Sequence, residues 1–370
     1  MVLLGSYSSS LTLVPRVNLS PSPIYLKPTH SAQFELIINH KMSATFESLP
    51  KIGLLSIGDM GVGIAKLLVA NGFTVATNIS GRSKDTIERA RDAEVELLES
   101  DVDLVRQSSV ILSIVPPKDA EATATRITDA LAGLETTKEL YFVDLNAVAP
   151  STVKAIAASV KRENLPIRFV DGSILGHPPK KASTDAATES SSSNDSSDWY
   201  RPSIPISGSD GFSSLPFGKK LISVLNMKQI SPDIGAASGL KMCFASLSKG
   251  FTAIATQSFT TAHNLGVLGA LKDEIGTFYP AMLANAEKSV PGMPPKAYRW
   301  VREMEEIALT FNEEAGWDKR MFMGAASVYK DIAENEVLGN EKTGKRKRGT
   351  TLDDVAAAAA EGLHKKQRPQ

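Results

Sequence analysis

Three small residues, Ser56, Gly58 and Gly61, repeat the spacing G-x-G-x-x-G with a serine in the first glycine position. They lie in the run Ile52-Gly53-Leu54-Leu55-Ser56-Ile57-Gly58-Asp59-Met60-Gly61. An apolar stretch leads in and helix-forming residues follow, the setting a dinucleotide pyrophosphate requires. Gly58 would let the backbone approach the phosphates, and Gly61 would let the helix pack on the strand. The helix N-terminus would offer free N–H groups and the positive end of its dipole. Ser56, Ile57, Gly58, Asp59, Met60 and Gly61 are therefore the expected phosphate cradle. The same residues also read as an ordinary tight strand–helix turn, and Ser56 weakens the pattern.

Two further segments bear on this chemistry. The second strand ends Ala76-Thr77-Asn78, without the carboxylate that usually accepts from the ribose hydroxyl of NAD. Arg82 and Ser83 follow, and a guanidinium with a hydroxyl suits the 2′-phosphate of NADP. NADP is thus expected over NAD, against the alternative of a solvated loop arginine ahead of the next helix. At Val115, Pro116 and Pro117 a strand ends in a stiff loop, placed where the nicotinamide end would lie. On its own this pair of prolines is only a strand terminator.

The elements that must position these residues alternate. Short apolar strands are expected at 52–57, 73–77, 110–115, 140–144, 168–171 and 204–207. Helices are expected at 62–70, 84–99, 120–131 and 151–161. Strands alternating with helices argue for an α/β fold, a doubly wound, Rossmann-type parallel sheet. From 235 to 332 the pattern is helical, with breaks near Gly276, Pro291–Pro295 and Gly316, and a last helix runs over 352–363. The expected domains are 51–232 for the dinucleotide and 233–363 for an all-helical unit. A basic tail occupies 364–370. The serine-rich stretch 180–198 reads as an insertion with too little apolar surface to fold.

Composition narrows the class. The 370 residues are 42% hydrophobic, and Lys plus Arg equals Asp plus Glu at 41 each. That balance gives no broad basic surface for nucleic acid. No run reaches the ~18 apolar residues of a membrane span. Five scattered histidines give no metal-ligand spacing. The single cysteine, Cys243, excludes an intrachain disulfide and favours a reducing, cytoplasmic setting. Residues 1–50 are serine- and proline-rich and acid-poor, which reads either as a mitochondrial transit segment or as a disordered extension.

The order of segments resembles the β-hydroxyacid dehydrogenases, which include hydroxyisobutyrate and phosphogluconate dehydrogenases. The resemblance rests on the fingerprint with Met60, the Val115-Pro116-Pro117 turn and Asp144-Leu145-Asn146-Ala147-Val148-Ala149-Pro150. It continues through Asp171-Gly172-Ser173-Ile174-Leu175-Gly176-His177 and Gly235-Ala236-Ala237-Ser238-Gly239-Leu240-Lys241, and covers about 51–361. The segments Lys296-Ala297-Tyr298-Arg299-Trp300 and Glu303-Met304-Glu305-Glu306 look most like a phosphogluconate-dehydrogenase-like branch without an established substrate.

The resemblance implies hydride transfer between NADP and a small hydroxy acid or carbonyl, with Lys241 as general acid/base. It also implies Asn146 near the cofactor and a homodimer paired through the helical part. A free lysine is mostly protonated at neutral pH, so burial would have to lower its pKa. The alternative is a lysine snorkelling from the helix surface. The chain departs from the family at Ala245, where an Asn usually follows the lysine by four residues, and at Leu175, where the substrate loop usually reads Ser-Gly-Gly. Ser173, Gly176, His177, Ser248 and Asn146 are candidates to contact a substrate in their place. Two rival readings stay open: an imine reductase-like activity on the same fold, and a silent NADP-binding regulatory protein. Cys243 is expected in the core, His263 as a plain helix residue, and 345–348 as a solvated basic loop or a nuclear signal.

Overall fold

The structure, a computed structural model, describes residues 49–181, 198–209, 212, 215–341 and 346–367. Residues 1–48 of the extension expected over 1–50, the span 182–197 of the insertion, Lys345 and the last three residues of the tail lie outside them.

The α/β part opens with β1 (Ile52–Leu55), α1 (Asp59–Ala70), β2 (Val75–Asn78), α2 (Lys84–Asp92) and β3 (Glu96–Leu98). It continues with α3 (Asp101–Gln107), β4 (Val110–Ser113), a 3-10 turn at Pro117–Asp119, α4 (Ala120–Ala132) and β5 (Leu140–Asp144). Next come α5 (Pro150–Arg162), β6 (Ile167–Gly172), β7 (Lys180–Lys181), β8 (Trp199–Tyr200), β9 (Ile204–Ser207), α6 (Gly218–Val224) and β10 (Met227–Ser231). The eight-stranded sheet has the order β10-β9-β6-β5-β4-β1-β2-β3. All neighbours are parallel except β6 and β9. Six strands thus follow the doubly wound order 3-2-1-4-5-6, with a parallel pair added antiparallel at one edge.

Alternation along the strands fills both faces. Leu54, Leu112 and Val143 pack against α1 and α6 on one face, while Leu55, Ile111 and Phe142 pack against α3, α4 and α5 on the other. Strand order reverses between β1 and β4, so the loops after them open at one crevice.

The helical part holds α7 (Ala236–Asn264), α8 (Leu268–Phe278), α9 (Pro280–Gly292), α10 (Ala297–Ala315), α11 (Arg320–Ala333) and α12 (Leu352–Gln367). Met242, Ala245 and Phe259 of α7 form its core with Met304, Ile307, Phe322, Tyr329 and Val355. Glu306 ties this core to the sheet. Its buried carboxylate accepts from the Ala149 amide (2.8 Å) and the Thr152 hydroxyl (2.9 Å) at the start of α5, and from Arg302 (2.6 Å). It satisfies amides that a helix start leaves open.

Several expectations are corrected. The helix expected over 84–99 stops at Asp92, and Glu96–Leu98 is an edge strand. Ser100 then caps α3, accepting from the Asp103 amide at 3.0 Å. α6 and β10 lie between the strand expected at 204–207 and the helical pattern from 235, where no element is expected from the sequence. The helical pattern does break near Gly276, at Tyr279, and within Pro291–Pro295, at Met293, although Pro291 itself lies inside α9.

Candidate active site

The expected phosphate cradle is built as a sharp turn. β1 ends at Leu55, and Ser56 takes φ = +79°, a left-handed conformation natural to glycine and strained for serine. A Cβ on Gly61 would stand 2.0 Å from the Ser56 carbonyl oxygen, so only glycine lets α1 lie this close to β1. Gly58 caps α1, and a Cβ there would meet nothing nearer than the Ser56 Oγ at 3.9 Å. The first intrahelical bond runs from the Val62 amide to the Gly58 carbonyl (2.8 Å). The amides of Asp59, Met60 and Gly61 therefore have no acceptor within the helix, and no side chain caps them. Free amides, open space over Gly58 and a bare backbone fit a pyrophosphate. Ile57 is buried in the core, and its carbonyl accepts from Arg89 Nε at 3.1 Å.

The other end of this crevice holds a cavity of about 370 Å³ lined by Asn78, Ser80, Gly81, Arg82, Asp101 and Arg126. Arg82 is exposed, and Ser83 caps α2 by accepting from the Thr86 amide (3.3 Å). Asp101 supplies the carboxylate that the β2 sequence lacks, but it is occupied. Arg126 grips both its oxygens, at 2.8 and 2.9 Å, and Asn78 donates to it at 2.8 Å. Burial alone would raise the Asp101 carboxyl; the Arg126 and Asn78 bonds outweigh it and hold the pKa below the ordinary carboxylate value. Asp101 and Arg126 come from α3 and α4, so no local pattern in the sequence pointed to them.

Across the crevice, the loop after β4 is pinned by Asn146. Its Oδ1 accepts from the Val115 amide (2.7 Å), its Nδ2 donates to Ser113 (3.1 Å), and its own amide donates to Asp144 (2.9 Å). The amide group of Asn146 is thus spent on holding Val115, Pro116 and Pro117 in place. Asp144 beneath it is fully buried, and desolvation lifts its pKa to about 7 against the hydrogen bonds of Asn146.

The catalytic candidate sits beside the end of β6. Asp171 there accepts from the Gly235 amide (2.8 Å) and from the Ser238 amide (3.3 Å) and hydroxyl (2.7 Å). This anchors the start of α7. Ser173 is buried and donates to the Ala237 carbonyl (2.9 Å), fastening the same junction. Lys241 follows one turn later, and its ammonium donates to the Ile174 carbonyl at 2.6 Å. Desolvation, with the nearby Arg299 charge, brings its pKa down to about 8.

The remaining candidates fall elsewhere. Gly176 and His177 are exposed, and the His177 amide donates to the Tyr200 hydroxyl on β8 (3.2 Å). Two residues on, Pro179 packs on Gly63 of α1. Ser248 is exposed, and its hydroxyl donates back to carbonyls of its own helix. His263 is exposed near the end of α7. Cys243 is exposed, not buried in the core, because α7 carries an uncovered second face. Within the basic run, Arg346 is half-buried against Pro291 and Arg348 pairs with Asp354, so these two residues are packed rather than solvated.

Sequence reasoning missed Lys249, two turns beyond Lys241. It contacts buried Glu303 and lies 5.0 Å from the Trp300 ring centroid. Burial, and then the Lys241, Arg299 and Lys296 charges, press its pKa well below the ordinary lysine value. Among the described residues no group of three His, Cys, Asp or Glu side chains could hold a metal ion, and no helix is long and apolar enough to cross a membrane.

Residues 51–196 match a family model described as the NAD binding domain of 6-phosphogluconate dehydrogenase. The chain carries a 6-phosphogluconate dehydrogenase-type NAD-binding domain. Residues 262–332, following that NAD-binding domain, match a domain of unknown function, DUF1932. An uncharacterized 28.5 kDa protein of Methanothermus fervidus is 24% identical over 221 residues, 60% of this chain and 74% of its own. A conserved hypothetical protein of Sinorhizobium meliloti 1021 has a similar structure, with a TM-score of 0.54, 20% identity and coverage of 86% of this chain and 98% of that one. The 3-hydroxyisobutyrate dehydrogenase of Mycobacterium tuberculosis gives a TM-score of 0.54 at 15% identity, covering 86% and 100%. These likenesses establish a shared fold. The cofactor class of the 6-phosphogluconate dehydrogenase-type domain is a nicotinamide dinucleotide, and the cradle from Ser56 to Gly61 has the shape to hold its pyrophosphate.

Proposed function

We propose that this chain is an NADP-dependent oxidoreductase acting between a small hydroxy acid and its carbonyl form, with Lys241 as general acid/base. The observation that carries the proposal is the setting of Lys241: half-buried beside β6, its ammonium bonded only to a neutral carbonyl, with a pKa brought down to about 8. A group near the working pH can both give and take a proton. The backbone of Ser56–Gly61 would hold the pyrophosphate, and the Val115–Pro117 loop, pinned by Asn146, would wall the nicotinamide end. When bound, the dinucleotide supplies the hydride chemistry. In oxidation, neutral Lys241 takes the proton of the substrate hydroxyl; in reduction, the Lys241 ammonium returns one to the carbonyl oxygen.

NADP is favoured over NAD because Arg82 and Arg126 both line the cavity at the end of β2, and the carboxylate there is already held by Arg126.

Titration with NADPH and NADH, then a panel of hydroxy acids and cyclic imines, tests the reading. NADPH is expected to bind at least tenfold more tightly than NADH, and Arg82→Ala should remove most of that difference. Lys241→Ala should keep NADPH affinity and lower turnover at least a hundredfold. Because the Lys241 pKa is lowered to about 8, oxidation should rise with pH through about 8 and reduction should fall over the same range. A Lys241→Ala variant with normal turnover would overturn the acid/base role. Activity confined to the imines would replace the hydroxy acid.

A further inference from the structure

Asp144 and Asp171 end their strands as register partners of β5 and β6, and both are buried. Neighbouring strands run about 4.8 Å apart, and partners in register point to the same face. Two carboxyl groups therefore share one dry place, but their surroundings are unequal. Four donors converge on Asp171: the Ser207 hydroxyl (2.7 Å), the Gly235 amide (2.8 Å), and the Ser238 amide (3.3 Å) and hydroxyl (2.7 Å). Asp144 Oδ1 accepts from the Asn146 amide at 2.9 Å. Its Oδ2 is buried and, among the described residues, has no hydrogen-bond partner. On the other side β4 offers uncharged Ser113 as the register partner. The charges that α7 and α10 bring to this end of the sheet are taken up elsewhere, Lys241 at the Ile174 carbonyl and Glu306 at the Ala149 amide and Arg302.

Two adjacent buried carboxyls do not both stay charged without donors for each. The donors here are gathered on Asp171, so the proton falls to Asp144. Burial lifts the Asp144 pKa to about 7, with the Asp171 charge adding to it and the Asn146 bonds opposing. The residue that Asp144 bonds is also the one that holds the loop after β4. Asn146 accepts from the Val115 amide through Oδ1 (2.7 Å) and donates to Ser113 through Nδ2 (3.1 Å). A carboxylate is a stronger acceptor than a hydroxyl. Ionised Asp144 would draw Nδ2 away from Ser113, and Oδ1, on the same planar amide, would leave Val115. We propose that Asp144 is a positioning residue that works protonated: its proton keeps Asn146 on Val115 and so keeps the Val115–Pro117 loop in place for the nicotinamide. When that proton passes to solvent, the loop is released. The link to the nicotinamide rests on the oxidoreductase reading; the link from Asp144 to the loop does not.

Hydrogen exchange at the Val115 amide of the full chain tests the proposal. Wild type is compared with Asp144→Asn at each pH, which cancels the intrinsic pH dependence of exchange. Asparagine has the shape of the protonated acid and cannot ionise. The two proteins are expected to exchange alike at pH 6, and the wild type at least fivefold faster at pH 8.5. NADPH affinity should follow the same course, equal at pH 6 and at least fivefold weaker in the wild type at pH 8.5. Titration of Lys241 cancels in that ratio, because both proteins carry it. Thermal unfolding checks that the variant is folded. The infrared band of a protonated carboxyl, present in the wild type at pH 6 and lost by pH 8.5, reports the proton without any variant. Equal exchange at both pH values, a wild-type excess at both, or no such band at pH 6 would overturn the proposal. If NADPH binds neither protein while the exchange pattern holds, the oxidoreductase reading falls and the control of the loop by Asp144 stands.

Discussion

Ser56 occupies the position that a fingerprint glycine would fill, and it does so at φ = +79°. A left-handed L-residue costs about 1–2 kcal/mol, and glycine gives back part of that through its freer unfolded chain. Ser56→Gly is therefore expected to stabilise the chain by about 0.5–1 kcal/mol in chemical denaturation. A loss of stability would show that the serine hydroxyl is needed in the turn. Residues of this sort were legible in the sequence because a backbone constraint leaves a local mark. Lys241 was legible only through resemblance. Lys249, Asp101 and Arg126 were not legible at all. Lys249 acquires meaning from Glu303 and Trp300 on α10, and Asp101 from Arg126 on α4, partners far away in the chain.

Elements were legible where burial was two-sided. Leu140–Asp144 and Ile204–Ser207 are buried throughout and end where the sequence places them. β3 was hidden because its exposed first residue, Glu96, and the charged helix before it leave one helical-looking run. What no pattern could show is how strand ends meet. Asp144 and Asp171 are the last register pair of β5 and β6, and both are buried. Burial raises the Asp144 pKa to about 7, so the folded state holds a proton that the unfolded chain releases near pH 4. Stability from this group is full below about pH 4 and is lost as pH rises through about 7. Asp144→Asn should raise the melting temperature at pH 8 and change it little at pH 5. An equal shift at both pH values would show that the Asp144 charge does not govern stability.

At the scale of the whole molecule, α7 carries two faces. One packs into the helical core; the other presents Leu240, Phe244, Leu247 and Ile254, with Leu247 79% exposed. An uncovered apolar stripe of this length marks an interface. We propose that a second copy of the chain covers it, since one self-complementary patch suffices for a two-fold dimer. Light scattering should give the dimer mass, and Leu247→Glu should shift it to the monomer; an unaltered dimer mass would place the interface elsewhere. A cavity of about 1050 Å³ between the C-terminal half of α7 and α12 lies apart from the Lys241 site. The short ladder of β7 and β8 has a different consequence. It pairs Lys181 with Trp199, and Pro179 just before it rests on Gly63 of the cradle helix. The chain thus leaves the domain at Lys181 and rejoins it at Trp199, two residues paired with each other. A reporter domain spliced in between those two residues would sit one proline away from the helix that opens at the cradle.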